Sequence, residues 1–459
     1  MKPVVIAGAG LSGLAAGVML SRRGIPITVY EQKPFAGGRA YSFADPRSGE
    51  TVDNGQHVLI AGYEGTMRLL DVLGTRELVQ VQPKPRLVFH HPARGFKSLT
   101  IPALPSPAHL VWGLLTCGLF DGSDRLRLLR AGVSLIRSNA ALETTLHGWT
   151  VDQWLSYTGQ SAESRRSLWE PLAIAILNER CSTASALLFV RSLQRAFLGP
   201  WRASAFAVPT VGLSQLYVGP AVEFIRRNGG DVFCGIGVEE VLTRGSLAYA
   251  VRMEDGSERE ADSVILAVPS YRVRSLLPAA LVQSNYLKDV ESIPLSPIIS
   301  VHLWFSADFM GEEEIVGIIG RRIQWIFNRR SIAARTHGIS RNLAGGYICA
   351  VISAAFEFVS MTNEEIVAIA VEDLRSAYGS AVSPPNASLV IREKRATFSS
   401  SPVTERLRPH QRTSIPNLFL AGDWTATGYP ATIEGAIVSA ERCAALVFDF
   451  LPQIANIGV

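Results

Sequence analysis

The sequence is poor in charged residues. Asp, Glu, Lys and Arg make up 18% of its 459 residues and the formal net charge is +4, with a pI of about 8.8. No block of basic residues accompanies this mild excess, so the composition argues against a nucleic-acid partner and is compatible with an anionic membrane surface. Hydrophobic residues make up 47%, enough at this length to bury the cores of about two or three domains.

Cysteine is scarce and is not arranged in pairs. The sequence has no C-x-x-C, and its five scattered cysteines are Cys117, Cys181, Cys234, Cys349 and Cys443. This pattern predicts a reducing compartment without a disulfide framework. It also predicts no metal site, since even the pair His90 and His91 has no carboxylate at ligand spacing.

The sequence also lacks a long uninterrupted apolar run. The nearest candidate, residues 101–120, contains several prolines and His109, whereas a spanning helix needs roughly 18 or more apolar residues. This segment is expected to lie on a membrane, to line an apolar tunnel, or to form a buried helix capped by a proline-rich loop. The apolar N-terminus is not predicted to be a signal peptide, because a glycine motif interrupts it and Arg22-Arg23 follows.

That glycine motif is the most informative feature present. Residues 3–31 contain an apolar strand, a G-x-G-x-x-G sequence, an Ala-rich helix and a second strand that ends in Glu31. Gly8 permits the tight turn, Gly10 lets the backbone approach a pyrophosphate, and Gly13 lets the helix pack closely on the strand. The helix N-terminus offers free N–H groups to the pyrophosphate, and Glu31 can accept the ribose hydroxyls. The pattern predicts a dinucleotide site.

Two further segments complete this nucleotide signature. Gly37-Gly38-Arg39 follows the second strand, where the backbone can close over the pyrophosphate and the guanidinium can bind phosphate. Near the C-terminus, residues 417–440 predict a strand ending in Ala421-Gly422-Asp423, a loop, and a helix that begins near Ile433.

Together the two ends resemble the flavin-containing amine oxidase and phytoene desaturase superfamily. The resemblance implies FAD, an α/β fold with a Rossmann-type FAD-binding domain, and a discontinuous α+β substrate domain. It implies that Asp423 hydrogen-bonds the FAD chain, that Val238 contacts adenine through its backbone, and that Thr432 and Ile433 direct backbone N–H groups toward the flavin C2 carbonyl. The cofactor-binding residues expected are Gly8, Gly10, Leu11, Ser12, Gly13, Glu31, Gln32, Gly37, Gly38, Arg39, Asn54, Gly55, Val238, Gly422, Asp423, Thr432, Ile433 and Ala436.

A narrower resemblance is carried by residues 53–63, where the run D-N-G-Q-H-V-L is followed by G-x-Y. This run, together with the late segment A-G-D-W-T-x-T-G-x-P-A-T-I-E-G-A, resembles bacterial hydroxysqualene dehydroxylases. The resemblance implies a reduction in which an allylic alcohol loses its hydroxyl as water and carbon receives a hydride from reduced FAD. His57 is the candidate acid and Gln56 a candidate ligand of the leaving oxygen. The alternative is that both only hydrogen-bond FAD or neighbouring backbone. Asp53 is expected to be structural.

The same resemblance divides the chain into two discontinuous domains. Residues 1–85, 205–270 and 401–459 are predicted to form the FAD-binding domain. Residues 86–204, which are rich in predicted helix, and residues 271–400, which mix strands with a helix over 363–378, are predicted to build the apolar substrate cavity. One strand is predicted over 317–328.

Several other polar or aromatic residues carry two interpretations each. Asn178, Glu179 and Arg180 either face the cavity or cap a helix and form a surface pair. Arg195 and Arg202 either hold a phosphate or lie on a solvated helix face. The aromatic residues of the late loop, Trp424 and Tyr429, either wall the flavin or pack in the core.

Three alternative functions stay open at this point. A carotenoid-type desaturase would run the same fold in the oxidative direction. An amine oxidase is disfavoured, because Thr432 stands where those enzymes usually place an aromatic residue, and Cys349 and Cys443 lie far from the expected position of a covalent flavin link. A flavin-binding scaffold would not need large apolar insertions. The polyprenyl substrate implied by the resemblance and the basic pI suggest a location at the inner face of a bacterial membrane. The sequence has no second glycine fingerprint, so it does not indicate the electron donor.

Overall fold

The helix predicted over residues 363–378 is present. The computed structural model describes residues 1–46, 48–137, 140–278, 281, 287, 289–334 and 345–457. Its helices are α1 Leu11–Ser21, α2 Glu64–Leu73, α3 Ala108–Thr116, α4 Gly122–Ile136, α5 Ala140–Leu146, α6 Val151–Tyr157, α7 Ala162–Ser164, α8 Glu170–Leu177, α9 Ala186–Phe197, α10 Gly219–Arg227, α11 Ser270–Leu276, α12 Arg329–Ala334, α13 Asn363–Tyr378, α14 Pro402–Leu407 and α15 Ile433–Ile457. Two π-helical turns, Arg165–Trp169 and Ser214–Val218, lead into α8 and α10.

The strands vary in length from 2 to 12 residues. They are β1 Val4–Ala7, β2 Ile27–Glu31, β3 Ser42–Ala44, β4 Thr51–Asp53, β5 Leu59–Ile60, β6 Val79–Val81, β7 Arg86–His91, β8 Gly95–Thr100, β9 Phe206–Pro209, β10 Asp231–Cys234, β11 Val238–Arg244, β12 Leu247–Met253, β13 Glu258–Glu260, β14 Ser263–Leu266, β15 Leu295–Phe305, β16 Ile315–Ile318, β17 Trp325–Asn328, β18 Gly346–Ser353, β19 Ala387–Phe398 and β20 Leu418–Leu420.

A five-stranded parallel sheet organises the glycine motif. Its order is β10-β2-β1-β14-β20, and every neighbouring pair is parallel. The strands β1, β14 and β20 are fully buried, as expected for parallel strands covered on both faces. Because the strands are all parallel, the carboxyl ends of β1, β2, β14 and β20 meet at one edge, where ligands bind in such folds.

Helix α1 is buried between this sheet and other helices, which explains its small residues. It packs against α10 and α15, and a Cβ at Gly17 would lie 2.8 Å from Cδ1 of Ile225 and 3.1 Å from Cδ1 of Ile27. The long helix α15 therefore closes the layer over the N-terminal βαβ unit. The α/β prediction is confirmed.

A seven-stranded mixed sheet forms the second large layer. Its order is β19-β15-β18-β17-β16-β7-β8, in which only β16 and β7 pair in parallel. One face packs on α13 through Ile299, Val301, Ile348 and their neighbours. The opposite face presents His302, Trp304 and Tyr347 toward β3 and β4. The domain boundaries at 85, 204, 270 and 400 stay a prediction.

Two expectations about local structure were wrong. The segment 317–328 does not form one strand, because Gly320 adopts a φ of 70° and reverses the chain between β16 and β17. The segment 101–120 does not form a buried helix, since Trp112 on α3 is 55% exposed. No described helix is long and apolar enough to cross a membrane.

Candidate functional site

The glycine motif forms a tight cradle at the carboxyl end of β1. Gly8 has a φ of 104°, and a Cβ there would lie 2.6 Å from the carbonyl oxygen of Ala267. A Cβ at Gly13 would lie 2.0 Å from the carbonyl oxygen of Gly8. Gly10 is the N-cap of α1 and supplies no side-chain cap, so the first turn, with Leu11 and Ser12, keeps N–H groups free for an anion.

A second glycine pair lies across the cradle. Gly10 and Gly37 form a bridge, and the N–H of Gly37 donates to the carbonyl of Ala9 at 2.8 Å. Gly38 has a φ of 62°, and a Cβ on it would lie 3.0 Å from Cα of Gly10. Side chains at these positions would fill the space over the N-terminus of α1. The predicted approach of two backbones at a pyrophosphate site is thus built into the fold.

Glu31 lies at the end of β2 beside the cradle. Its carboxylate accepts hydrogen bonds from the backbone N–H groups of Ala9 and Lys33, each at 2.9 Å. Next to it, the side-chain amide of Gln32 donates to Glu254 at 2.5 Å. Val238 is buried at the start of β11. These residues flank one end of the cradle, where the predicted ribose and adenine contacts would lie.

The two motifs from opposite chain ends meet at Arg39. Its Nη2 lies 2.6 Å from Oδ1 of Asp423, and its Nη1 donates to the carbonyl of Ala396 at 2.9 Å. The side chain of Asn54 holds the backbone of this segment, since it donates to the carbonyl of Arg39 and accepts from the N–H of Tyr41. Arg39 and Asp423 are therefore neighbours, as a shared phosphate and FAD-chain site requires.

The late loop that carries Asp423 is fixed by a buried arginine. Arg408 donates to the carbonyls of Asp423 at 3.0 Å and Thr425 at 3.1 Å. Gly422 has a φ of 154° and its N–H donates to the hydroxyl of Ser439 on α15. Arg408 could not be predicted from the sequence, because nothing in its local pattern separates it from a surface arginine.

The N-terminus of α15 presents backbone groups rather than a charged side chain. The hydroxyl of Thr432 accepts from the N–H of Gly435 at 3.0 Å, and the carbonyl of Thr432 accepts from the N–H of Ala436. Within the described residues, the N–H groups of Thr432 and Ile433 have no hydrogen-bond partner. The nearby carboxylate of Glu434 accepts from the N–H groups of Gly65 and Thr66 on α2. The free N–H groups and the positive helix end suit an anionic group.

The loop after β4 carries both predicted catalytic residues and contacts Arg329, the first residue of α12 after β17. Asp53 accepts from the hydroxyl of Ser42 at 2.7 Å and the N–H of Leu213 at 2.9 Å, which fixes the loop as expected. Nη1 of Arg329 donates to Oε1 of Gln56 at 3.0 Å, and its Nη2 lies 3.5 Å from Asp53. The amide nitrogen of Gln56 donates to the carbonyl of His57.

Both polar atoms of the Gln56 amide are thus engaged within the protein. Arg329 is a site residue that was not predicted, although the two adjacent arginines after the buried strand β17 indicate a possible polar site. The predicted role of Gln56 as a direct ligand of a leaving oxygen gains no support, because its amide positions the backbone of His57. Gly55 lies beside this imidazole, with its Cβ position 3.8 Å from Nε2.

His57 is partly buried between opposite charges. Burial lowers the pKa of His57 below its usual 6.5; the Asp53 carboxylate opposes this shift and the Arg39 guanidinium adds to it. The imidazole is therefore mainly neutral at pH 7 and can donate or accept a hydrogen bond according to its tautomer.

A second buried histidine lies on the adjacent sheet face. Nδ1 of His302 lies 2.8 Å from the Tyr347 hydroxyl, and Cys349 lies 4.0 Å from Nε2. Burial, with a smaller contribution from Arg329, lowers the pKa of His302 to about 3. Burial raises the pKa of Cys349 to about 12. The cluster is uncharged at neutral pH.

The secondary candidates take mainly structural positions. Asn178 has a φ of 50° at the C-cap of α8 and its amide donates to Thr397 at 2.9 Å. Arg180 forms a surface pair with Glu357. Arg195 stacks 3.8 Å over the ring of Tyr429. Trp424 is buried and donates to the carbonyl of Val268.

The remaining predictions concern a metal site and the role of Arg202. His91 contacts Glu163 at 2.9 Å, and the described residues contain no group of three or more potential metal ligands. Arg202 lies over the ring of Trp201. These arrangements leave the cradle, the loop 53–57 and the late loop as the candidate site.

Comparison with known families decides what this site holds. The family model described as flavin containing amine oxidoreductase matches residues 11–448, nearly the whole chain. The chain belongs to this family. It is an FAD-dependent oxidoreductase, and the glycine cradle, the free N-terminus of α1 and the Arg39–Asp423 junction fit a dinucleotide. The prediction of FAD is confirmed.

Individual relatives show which members of the family this chain is similar to. A hydroxysqualene dehydroxylase of Rhodopseudomonas palustris is 31% identical, covering 97% of this chain and 98% of that protein. Another from Sinorhizobium fredii is 29% identical, covering 98% and 99%. A 15-cis-phytoene desaturase of Arabidopsis thaliana is 23% identical, covering 97% and 80%. A solved putrescine oxidase shares the fold with a TM-score of 0.72 at 20% identity, covering 98% and 99%. The predicted family resemblance and fold are confirmed.

Proposed function

We propose that this flavoenzyme reduces hydroxysqualene to squalene in isoprenoid biosynthesis. The observation that carries the proposal is the full-length similarity to two hydroxysqualene dehydroxylases, joined to the D-N-G-Q-H loop beside the flavin motifs. In the reaction the allylic C–O bond breaks, a C–H bond forms, and the hydroxyl leaves as water after taking up a proton. Reduced FAD, when bound, would supply the hydride, which carries both electrons of the reduction.

The chain offers a complete set of groups to hold FAD. Glycines 8, 10, 13, 37 and 38 let the backbone approach the pyrophosphate, and the first turn of α1 donates N–H groups to it. Glu31, Gln32 and Val238 flank the adenosine end. Arg39 and Asp423 serve the phosphate and the FAD chain, with Asn54 and Gly55 beside them. The free backbone N–H groups of Thr432 and Ile433 would stabilise negative charge on the flavin, and Gly422 and Ala436 belong to the same late segment.

The departing hydroxyl needs a proton or a strong hydrogen-bond donor. His57 is the proposed donor, because its imidazole belongs to the loop that follows β4 and interacts electrostatically with Asp53 and Arg39. Gln56 holds the backbone carbonyl of His57, and Arg329 holds Gln56. We therefore assign Gln56 and Arg329 as positioning residues. The low charge content of the chain, 18%, suits a dry cavity for the polyprenyl chains.

An anaerobic single turnover tests the reaction. The bound FAD is photoreduced, hydroxysqualene is added, flavin absorbance is followed, and products are identified by mass spectrometry. Reoxidation matched by an equal amount of squalene is expected. Squalene added in place of hydroxysqualene serves as the matched control and should leave the flavin reduced. A flavin that stays reduced with hydroxysqualene would overturn the proposal.

The second candidate function is a carotenoid-type desaturase, favoured by the similarity to phytoene desaturases. It runs in the opposite redox direction, since oxidised FAD would accept electrons from phytoene. Bleaching of oxidised enzyme by phytoene, with no reoxidation of reduced enzyme by hydroxysqualene, would select this alternative.

We further propose a location at the inner face of a bacterial membrane, where a polyprenyl alcohol is dissolved. The mild positive charge and the apolar segment 101–120 support it. Fractionation in low salt that leaves all protein in the supernatant would contradict it. The reductant is an external electron donor of unassigned class.

A further inference from the structure

Two neighbouring helices expose an unusual amount of apolar surface. Half of the exposed large hydrophobic side chains in the described part of the chain fall within residues 104–136, a small fraction of its length. They are Leu104, Val111, Trp112, Leu115, Leu126, Val133 and Ile136. We call these residues the apolar surface. Such a concentration on one region marks an interaction site rather than scattered surface hydrophobics.

The helical spacing shows that the outward side is separate from the core side. On α3, Val111 and Leu115 are four residues apart and flank Trp112, whereas His109 and Gly113 are buried. On α4, Leu126 and Val133 are seven residues apart. The core side of α4 is formed by Asp124, Leu128, Ala131 and Leu135. The core therefore already has its own contacts, and α3 packs directly beside α4.

The charge along α4 complements an anionic partner. Arg127, Arg130 and Arg137 are exposed, and none of them forms an ion pair with another described residue. The acidic side chain of α4, Asp124, points inward and accepts from Ser161 at 2.5 Å. An apolar stripe bordered by unpaired arginines is the arrangement that lies in the headgroup region of a bilayer.

We infer that the apolar surface, with Arg127, Arg130 and Arg137, docks on an anionic lipid bilayer. The helices lie on the membrane rather than across it, because no described helix is long and apolar enough to span. The inference deepens the proposed location and rests on it, but it does not depend on the proposed reaction. Trp112 and Leu115 enter the acyl boundary while the arginines meet lipid phosphates.

The apolar surface is connected to the candidate site through α9. Nε2 of His109 donates to the carbonyl of Phe197 at 3.0 Å, and the hydroxyl of Ser106 donates to the carbonyl of Leu198 at 2.9 Å. These contacts tie α3 to the end of α9. From α9, Nη1 of Arg195 donates to the carbonyl of Gly428 in the late loop at 2.6 Å. These contacts link α3 to the late loop of the candidate site.

Vesicle flotation of the FAD-loaded protein tests the inference. The vesicles contain phosphatidylcholine alone or phosphatidylcholine with phosphatidylglycerol. Trp112→Ser with Leu115→Ser should lower partitioning at least about tenfold. Arg127→Gln with Arg130→Gln should lower it roughly 25-fold on the anionic vesicles, about fivefold for each charge, with little effect on neutral ones.

The matched control is Phe356→Ser with Val403→Ser, since both side chains are exposed elsewhere and should not alter partitioning. Flavin absorbance and circular dichroism verify that each variant is folded. Equal vesicle binding by wild type and both surface variants would overturn the inference, as would no binding by the wild type.

A second copy of this chain is the competing occupant of the apolar surface. A dimer in light scattering that the Trp112→Ser and Leu115→Ser pair dissociates, without vesicle binding, would assign the surface to self-association and overturn the lipid inference. The flotation assay contains no substrate and therefore tests lipid docking separately from the reaction. A protein that binds vesicles but does not convert hydroxysqualene in the single-turnover assay would refute only the proposed reaction.

Discussion

Arg39 and Asp423 form an ion pair although 384 positions separate them in the chain. Arg39 follows the second strand of the glycine unit, and Asp423 follows β20 at the opposite edge of that sheet. Their meeting, with 2.6 Å between Nη2 and Oδ1, joins the two motifs that the sequence assigns to FAD. Each side chain therefore holds the other in place beside the cradle.

This pair should set FAD affinity. Arg39→Gln and Asp423→Asn should each raise the Kd for FAD at least about tenfold, close to 1.4 kcal/mol, and the double variant should lose less than the sum of the two. Titration of apoprotein by flavin fluorescence measures this. Arg180→Gln, which breaks a surface pair with Glu357, is the control. Strictly additive losses would show that the two residues act independently.

The pKa of His57 gives a pH dependence with a defined sign. Since its pKa lies below 6.5 in the folded protein, the protonated form increases as the pH falls from 7 toward 6. If His57 donates the proton, the wild-type turnover rate rises over that interval. His57→Gln then lowers the rate about 100-fold and abolishes its pH dependence. Single-turnover rates across this range measure both. The control is His147→Gln, since His147 is exposed. A His57→Gln variant with the same rate and pH dependence as the wild type would show that His57 has only a hydrogen-bonding role.

Arg329 should matter for both stability and turnover. Arg329→Met leaves Asp53 and Gln56 without their cation in a buried position, which we expect to lower the free energy of unfolding by about 3 kcal/mol. Arg329→Lys should recover stability partly, since it restores charge without the two-pronged contact. Urea unfolding and the split between kcat and KM measure the two effects. The neighbouring Arg330→Gln, which breaks a pair with Glu50, should have a smaller effect.

His302 makes the fold sensitive to acid. Its pKa of about 3 is below that of an unfolded histidine, so the unfolded chain binds the extra proton and stability is lost as the pH falls from about 6.5 toward 3. Each unit of the shift corresponds to about 1.4 kcal/mol. His302→Gln should flatten this part of the curve of unfolding free energy against pH. His147→Gln should leave it unchanged, and an equally steep curve in both variants would contradict the assignment.

Two glycines provide a matched test of the cradle. Gly13→Ala forces a Cβ to within 2.0 Å of the Gly8 carbonyl, whereas a Cβ at Gly132 in α4 meets nothing within 4 Å. Gly13→Ala should destabilise by about 1–3 kcal/mol and abolish FAD binding. Gly132→Ala should stabilise by about 0.5–1 kcal/mol with full flavin content. Thermal melts and flavin absorbance distinguish them, and a flavin-loaded Gly13→Ala protein would contradict the predicted packing.

How far the sequence predicts the protein depends on how local the interaction is. The turn at Gly8, the helix behind it and Glu31 lie within one βαβ unit, so spacing alone predicts their arrangement. Arg329 and Arg408 could not be assigned in this way, because their partners lie in distant segments and only tertiary packing buries them. The split of 317–328 into two strands was missed although Gly320 and the following arginines indicate a turn.

The position of β20 late in the sequence has a consequence for truncated chains. The strand completes the parallel sheet beside β14, and α15 then covers α1. A chain truncated before β20 lacks Asp423, the free N-terminus of α15 and the packing partner of the first helix. The glycine cradle alone is then an incomplete site, and we expect such a truncated chain to lack flavin.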